Sequence, residues 1–268
     1  MKRNIIAAAT FFAAGVLVSP SAHAQCPAVP LSTLVGTWAF SAEGFQFPPT
    51  LFLGAGGRFV ASINGGGAGV LTITQSASID GSVVRQEVDA GRFQVSDDCT
   101  RGTLTFNVSS RPIQFDFFFV NANEIVMVGT NNADIVTGEA TRVVAPACPA
   151  DLLGALTGTW VFSTEGFTFP PTRFLGSAGR FVASVSATTG AGVLSITQSG
   201  SIDGSPVRLE TDAGRFQVDP GCPGGTLTFN TSSRPVQFDF FFVNANEILL
   251  VGSNNGDIVT GEARRFGT

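Results

Sequence analysis

The feature that most constrains this chain is that its sequence occurs twice. The stretch 109–125, which contains Phe-Asp-Phe-Phe-Phe-Val-Asn-Ala-Asn-Glu-Ile, returns almost unchanged at 232–248. Gly36-Thr37-Trp38 likewise returns as Gly158-Thr159-Trp160, and the two copies differ in length by a single residue in a glycine-rich stretch. About 120 residues is a normal size for one domain. We therefore expect two copies of one domain, over residues 25–145 and 146–268.

The first 24 residues have the pattern of a secretory signal peptide. Lys2 and Arg3 form a positive start, an apolar run follows over residues 5–18, and Ala22-His23-Ala24 is an A-x-A cleavage site. The apolar run is shorter than the roughly 20 residues that a membrane-spanning helix needs. The sequence predicts a secreted or periplasmic protein without a membrane span.

Removal of that segment restricts the chemistry of the mature chain. Lys2 is the only lysine, His23 is the only histidine, and there is no tyrosine. Ser-His-Asp and Cys-His catalysis, Schiff-base chemistry and imidazole metal sites are thereby excluded. We expect no cofactor and no metal, and the composition argues against an enzyme. The net charge of the full chain is −5, and removal of Lys2 and Arg3 makes the mature chain more acidic. This acidity, without a basic stripe, also argues against a nucleic-acid partner.

The four cysteines allow three pairings in an exported chain. A domain that was copied whole should carry its own bridge in each copy. The duplication therefore predicts Cys26 paired with Cys99 and Cys148 paired with Cys222. Each bridge would close a long loop and would stabilise the folded state by roughly 4 kcal/mol in the chain-entropy description.

Hydrophobic periodicity predicts an all-β fold. Runs of alternating apolar residues are separated by Gly, Asn and Asp, and Asn121-Ala122-Asn123 is typical of a hairpin turn. Gly91, inside a long strand, suggests a bulge. Short connections favour two tandem antiparallel up-and-down eight-stranded barrels, with β-sandwiches as the alternative. The predicted strands of the first copy span 36–43, 57–64, 69–78, 82–95, 102–108, 112–120, 123–130 and 134–143.

Side-chain alternation divides the duplicated Phe-rich strand into two rows. The inner row is predicted to face the barrel interior and to contact any ligand held there; it comprises Phe115, Phe117 and Phe119, with Phe238, Phe240 and Phe242 in the second copy. The outer row carries exposed aromatic surface that needs cover. Its members Phe118, Val120, Phe241 and Val243 are predicted to lie in a contact between repeats or between copies of the chain.

Two acids lie among these phenylalanines, Asp116 and its repeat Asp239. Desolvation in such surroundings raises a carboxyl pKa and can make a general acid, so these two are the catalytic candidates. Alternation places both in the outer row, however. The structural interpretation, a solvated carboxylate on the outer face, is therefore preferred.

Each copy resembles the calycin group of lipocalin-like barrels at two anchors. Gly36-x-Trp38 opens the first copy and Arg142 closes it, and the second copy repeats them as Trp160 and Arg265. The resemblance implies that the arginine packs over the tryptophan ring at the barrel base. It also implies a barrel that holds a small apolar ligand. The lipocalin T-D-Y motif and the helix after the last strand have no counterpart in this sequence.

These observations favour an exported tandem β-barrel protein that binds a small apolar ligand or serves as a structural or interaction module. The alternative is a barrel enzyme of the cyclase or isomerase kind, in which carboxylates act in an apolar cavity. Glu43 and Glu165, each followed by Gly-Phe-x-Phe-Pro-Pro, are expected at a barrel mouth.

Overall fold

The computed structural model describes residues 26–46, 51–80, 82–108, 112–131, 134–144, 151–168, 173–231, 234–254 and 256–267. The predicted signal peptide, the boundary between the copies at 145/146, and Cys148 lie outside the described residues. The helical segments of the described chain are two short 3₁₀ turns, Pro30–Thr33 and Leu152–Ala155. No helix in these ranges is long and apolar enough to cross a membrane.

Eight strands form the first closed barrel, and each pairs antiparallel with the next. They are β1 (Gly36–Gln46), β2 (Leu51–Ile63), β3 (Gly69–Ile79), β4 (Ser82–Val95), β5 (Arg101–Asn107), β6 (Pro112–Asn121), β7 (Glu124–Gly129) and β8 (Asp134–Arg142). Strand β8 closes the barrel by pairing with β1, where Trp38 lies opposite Arg142.

The second copy forms a second closed barrel with the same order. Its strands are β9 (Gly158–Thr168), β10 (Arg173–Val185), β11 (Gly192–Ile202), β12 (Ser205–Val218), β13 (Gly224–Asn230), β14 (Pro235–Asn244), β15 (Glu247–Gly252) and β16 (Asp257–Arg265). The predicted up-and-down barrels are confirmed. The sandwich alternative is excluded, because each sheet closes on itself.

Two local predictions were wrong. Strand β2 begins at Leu51 rather than at residue 57, because its glycines pair with β1 on one side and β3 on the other, as at Gly54 opposite Glu43 and Ser78. Cross-strand hydrogen bonds on both sides override the low strand propensity of glycine. Gly91 is not a bulge, since it pairs regularly with Leu71 and Phe106. The register shift lies nearer the start of β4, at Gln86, whose φ is +47°.

Large aromatic side chains fill the interior of each barrel, as alternation predicts. In the first barrel the Trp38 and Phe59 rings stack at 6.1 Å, and Phe106 lies 5.9 Å from Phe59 and 5.4 Å from Phe40. The second barrel repeats the stack with Trp160 and Phe181 at 6.1 Å. These rings are at most 3% exposed. Two equivalent cores therefore form independently, one in each barrel.

The base of each barrel is closed by the arginine of its last strand. The Arg142 guanidinium carbon lies 4.5 Å from the Trp38 ring centroid, and Arg265 lies 4.6 Å from that of Trp160. Arg142 also donates to the Thr33 carbonyl at 2.7 Å and to the Val35 carbonyl at 2.5 Å. Burial lowers the pKa of both arginines from its usual value. The arginine thus ties the 3₁₀ segment to the barrel end.

One of the predicted disulfides lies wholly within the described residues. Cys26 is bonded to Cys99, with 5.6 Å between the Cα atoms, and the bridge ties the segment before β1 to the β4–β5 turn. Cys222 is also disulfide-bonded. Its predicted partner, Cys148, is outside the described residues.

The barrels contact each other through different strands. On the first barrel the contact uses a small-residue surface on β1–β3, which we call the docking floor: Ala39, Gly54, Gly56, Arg58 and Ser76. On the second barrel it uses β16 and the outer face of β14 and β15. We call the β14–β15 surface the docking ridge: Asp239, Phe241, Val243, Leu249 and Val251. Because the two surfaces differ, the contact is heterologous rather than two-fold.

Candidate functional site

A groove runs along the junction on the side where strands β1 and β8 face β9 and β16. Residues of these four strands line it, among them the outward-facing Ser41 and Glu43 of β1, together with Val126 of β7 and Leu249 of β15. One part of the groove encloses about 520 Å³. The adjoining part encloses about 580 Å³ and shares four lining residues with the first: Glu43, Thr137, Glu165 and Thr260.

The first part of the groove is lined by equivalent residues of the two copies. Every lining residue is accompanied by its counterpart in the other barrel, as Glu43 is by Glu165 and Glu139 by Glu262. Four glutamates and no arginine occur among these lining residues. We call this part the carboxylate end. The duplication doubles its negative charge because the same strands of both barrels meet across the groove.

The electrostatics of the carboxylate end are visible at Glu139. Partial burial raises the pKa of Glu139 above its usual value, and the nearby carboxylates of Glu262, Glu124 and Glu247 raise it further. Arg264 acts in the opposite direction, and it contacts both Glu247 and Glu262 at 3.3 Å. Crowded carboxylates of this kind favour a cationic group between them.

Phe45, Phe167 and Phe174 line the second part of the groove. Four phenylalanine rings form a continuous row across the junction, with centroid distances of 4.8 Å for Phe45–Phe52, 4.5 Å for Phe52–Phe167 and 4.7 Å for Phe167–Phe174. Phe174 is 64% exposed at one end of the row. We call this part the aromatic end. Glu43 and Glu165 belong to both ends, and Thr260 donates to Glu43 at 3.4 Å.

The chemistry of the groove is that of a binding site for an amphipathic molecule. Phenylalanine faces take apolar or aromatic groups, and the adjoining carboxylates accept hydrogen bonds from ammonium or guanidinium groups. Among the described residues, no three His, Cys, Asp or Glu side chains are placed to hold one metal ion.

The inner-row phenylalanines lie in the barrel interiors. Phe115, Phe117, Phe238, Phe240 and Phe242 are at most 3% exposed, and Phe119 is half-buried. They pack against one another and against the core rings, with Phe117 and Phe119 at 5.3 Å and Phe106 and Phe115 at 5.6 Å. Their role as ligand contacts stays a prediction.

The outer-row residues occupy different environments in the two copies. Phe241 and Val243 are 4% and 1% exposed in the docking ridge, and Val243 packs against Ala39 of the first barrel. Phe118 and Val120 are 46% and 56% exposed. The structure thus brings one half of the predicted interface set into the contact between barrels and leaves the other half open.

The docking of the barrels also places the two aspartate candidates in different environments. Asp239 is 1% exposed and accepts a hydrogen bond from Ser76 across the junction, so it is buried rather than solvated. Asp116 is half-buried and lines a small surface pocket beside Arg101 and Phe118. Neither lies in the groove. Their catalytic role stays untested.

Sequence reasoning missed Glu139 and Glu262. Each occurs in the repeated Gly-Glu-Ala of β8 and β16, where alternation places the glutamate outside. That signal marks an exposed acid and nothing more. Only the docking of the barrels brings the two together, along with Glu43 and Glu165, which were predicted at a barrel mouth and line the groove.

No protein-family model and no curated protein matches this chain. Among solved structures, the chain is similar to a de novo designed fluorescence-activating β-barrel, at 16% identity over 44% of this chain and 99% of that one, with a TM-score of 0.32. It is similar to kievitone hydratase from Nectria haematococca at 7% identity, over 92% and 95% of the two chains, with a TM-score of 0.28.

A DUF3598-family protein of unknown function from Nostoc punctiforme is 11% identical over 88% of this chain and 98% of that one, with a TM-score of 0.22. These TM-scores are all below 0.5, so no argument about function rests on the similarities. The barrel assignment rests on the strand pairing alone. Two closed eight-stranded barrels agree with the calycin resemblance at the level of fold, and membership of that group stays a hypothesis.

Proposed function

We propose that this protein is an exported binding module that holds a small amphipathic cation in the groove between its two barrels. The observation that carries the proposal is that three phenylalanines, Phe45, Phe167 and Phe174, and four glutamates line adjoining parts of one groove. The proposal that the protein is exported rests on the signal-peptide pattern of residues 1–24.

The size of the groove supports a small ligand. Its two parts, of about 520 and 580 Å³, fall in the range of small-molecule sites. The interiors of the barrels are filled by stacked rings, as at Trp38, Phe59 and Phe106. A ligand in the groove therefore needs no rearrangement of either core.

The charge of the groove supports a cation over a neutral molecule. Burial raises the pKa of Glu139, and neighbouring carboxylates raise it further, so a positive group bound among them removes a repulsion as well as adding an attraction. The calycin resemblance predicts an apolar ligand. The charge of the groove narrows this class to ligands with an apolar body and a cationic head.

A matched set of probes tests the proposal by titration calorimetry: 4-phenylbutylamine as cation, 4-phenylbutanol as neutral molecule and 4-phenylbutyrate as anion. We expect the amine to bind about tenfold more tightly than the alcohol, a difference of about 1.4 kcal/mol, and the butyrate to bind least. Equal affinities for all three would contradict the proposal.

Two groove variants test the carboxylate end and the aromatic end of the site separately. Glu139→Gln with Glu262→Gln is expected to reduce amine affinity to that of the alcohol, because both glutamates line the carboxylate end. Phe174→Ala is expected to weaken both probes, because its ring lines the aromatic end. Glu87→Gln on β4 and Phe118→Ala on β6 are the matched controls outside the groove, and both should bind like the wild type.

A carboxylate-dependent isomerase or cyclase is the second candidate. The position of Glu43 and Glu165 beside the phenylalanine row favours it, since an acid next to an apolar pocket can act as a general acid or base. If the protein is an enzyme, a ligand should stay bound through gentle purification and be identifiable by native mass spectrometry. The enzyme hypothesis predicts that the protein converts this ligand to an isomer of equal mass. Chromatography of that ligand before and after incubation would show one unchanged species if the protein only binds.

A further inference from the structure

The contact between the barrels uses only half of the surfaces that the duplication supplies. Within the chain, the docking ridge of the second barrel covers the docking floor of the first. The first barrel has its own ridge on β6 and β7, and the second has its own floor on β9–β11. A heterologous contact leaves one surface of each kind unused.

The unused ridge on the first barrel is an exposed apolar patch. Phe118 is 46% exposed, Val120 56%, Val126 44% and Val128 42%. The counterparts Phe241, Val243 and Val251 in the second barrel are at most 4% exposed, because they lie against the docking floor. The equivalent residues of the second copy are therefore buried in the same molecule, whereas those of the first copy are exposed. Asp116 lies in line with it, as Asp239 does in the used ridge.

The unused floor on the second barrel is open in the same way. Val161 is 46% exposed, and Ala178, Arg180 and Ser199 are also exposed. Their counterparts in the used floor are covered, with Ala39 at 1% and Ser76 at 0% exposure. The small-residue character is kept, since Gly176 stands where the first barrel has Gly54.

We propose that a second copy of this chain occupies the unused ridge by placing its own second-barrel floor on it. The contact repeats the one already made within the chain. Ser199 of one copy would meet Asp116 of the other, as Ser76 meets Asp239 at 2.6 Å. The Arg180 guanidinium would reach the β5 side of the ridge, as Arg58 reaches the Pro223 carbonyl at 3.4 Å.

Three substitutions between the copies make the contact between chains weaker than the contact within the chain. Val161 replaces Ala39, Ala178 replaces Gly56, and Arg101 replaces Gly224 beside the ridge phenylalanine. Each adds bulk or charge to a surface that is closely packed where it is used. The association is consequently concentration-dependent. It adds chains head to tail, without the two-fold closure that stops at a dimer.

Sedimentation velocity of the full mature chain tests the association from about 10 µM to about 1 mM, the range of weak interfaces. The sedimentation coefficient is expected to rise with concentration. Phe118→Arg blocks the ridge and Ala178→Arg blocks the floor, and both side chains are exposed, so neither change disturbs a core. Each variant alone is expected to stay monomeric. Val88→Arg on β4, which exchanges an exposed apolar residue outside the ridge and the floor, should associate like the wild type.

Mixing the two blocked variants identifies the geometry. Phe118→Arg keeps an intact floor and Ala178→Arg keeps an intact ridge, so the mixture should form a one-to-one complex that cannot grow. Self-association of Ala178→Arg alone would mean that two ridges pair with each other, and it would overturn the proposal. A wild-type chain that stays monomeric through about 1 mM would overturn it as well.

Restoring the first-barrel residues supplies a gain-of-association test. Val161→Ala with Ala178→Gly recreates the packing surface of the used floor and is expected to strengthen the association about tenfold, since overpacking is removed. An unchanged association of this variant, in a wild type that does self-associate, would show that the floor is not the surface involved.

Discussion

The Ser76 hydroxyl of the first barrel donates a 2.6 Å hydrogen bond to the Asp239 carboxylate of the second, and the two residues are 0% and 1% exposed. This bond lies in the contact between docking floor and docking ridge. Asp116 occupies the same place in the first copy and is only half-buried. One repeated sequence therefore yields a buried carboxylate in one barrel and a solvent-accessible one in the other.

Replacement of Asp239 by alanine should destabilise the protein by about 2 kcal/mol, because it leaves the buried Ser76 hydroxyl without its charged acceptor. Asp116→Ala is the matched control. It should change the free energy of unfolding by no more than about 0.5 kcal/mol, as at other partly exposed sites. Urea unfolding followed by tryptophan fluorescence measures both. Equal effects of the two substitutions would show that the cross-barrel bond contributes nothing.

Gly56→Val should loosen the contact between the barrels. A Cβ at Gly56 would overlap a methyl group of Val251, and one at Gly54 would lie 2.6 Å from a methyl of Ile258. Overpacking of this kind costs about 1–3 kcal/mol. Ala178→Val changes the equivalent, exposed position of the second barrel and should be nearly neutral.

The measurement is again urea unfolding, in a Trp160→Phe background so that Trp38 reports the first barrel alone. A neutral result for Gly56→Val would mean that the barrels are not held at the distance that this glycine permits.

Arg142→Met should destabilise the first barrel by about 3 kcal/mol. The substitution removes the guanidinium from the Trp38 face and leaves the carbonyls of Thr33 and Val35 without their charged donor. Arg92→Met, an exposed arginine on β4, is the control and should have little effect. Thermal unfolding followed at Trp38, with Trp160 replaced by phenylalanine, makes the comparison. The prediction fails if the two midpoints shift equally.

The stability of the protein should fall slightly as pH rises through the raised pKa of Glu139. Burial first, and the carboxylates of Glu262, Glu124 and Glu247 next, raise this pKa above its usual value in the folded state. A raised carboxyl pKa means that the folded state binds the proton more tightly than the unfolded state does. The resulting stabilisation is complete below the pKa that the group has in the unfolded state. It disappears as the pH rises through the pKa that the group has in the folded state.

The size of this effect should be below about 1 kcal/mol, because solvent and salt screen a partly exposed side chain. Glu139→Gln should reduce the dependence and raise the melting temperature at neutral pH, whereas Asp97→Asn, at an exposed acid between β4 and β5, should leave it in place. Calorimetric melting between pH 4 and pH 8, a range of about four units around the ordinary glutamate value, provides the test. A steeper dependence in Glu139→Gln than in the wild type would contradict this assignment.

The barrel architecture could be predicted because it depends on local patterns. Alternation along 112–120 assigns Phe115 and Phe117 to the interior, and the structure buries both. Asn121-Ala122-Asn123 makes the predicted hairpin, in which the Asn123 amide donates to the Asn121 side chain at 2.8 Å. The start of β2 could not be predicted, since its glycines are held in the strand by neighbours on both sides and not by their own propensity.

The groove could not be predicted because its members meet only after docking. Glu139 and Glu262 each have the pattern of an ordinary exposed acid, and Phe52 and Phe167 belong to different copies. Their juxtaposition depends on how one barrel is rotated against the other. Periodicity within a strand carries no information about that rotation.

The sequence by itself determined the two barrels, the order of their strands and the face to which the core side chains point, because these follow from duplication and from the two-residue period of a strand. It could not determine that Phe241 is buried while Phe118 is exposed, since the residues around both are nearly identical. The tertiary structure decided this through one asymmetric contact. A heterologous pairing of two equivalent barrels must leave one of two identical surfaces uncovered.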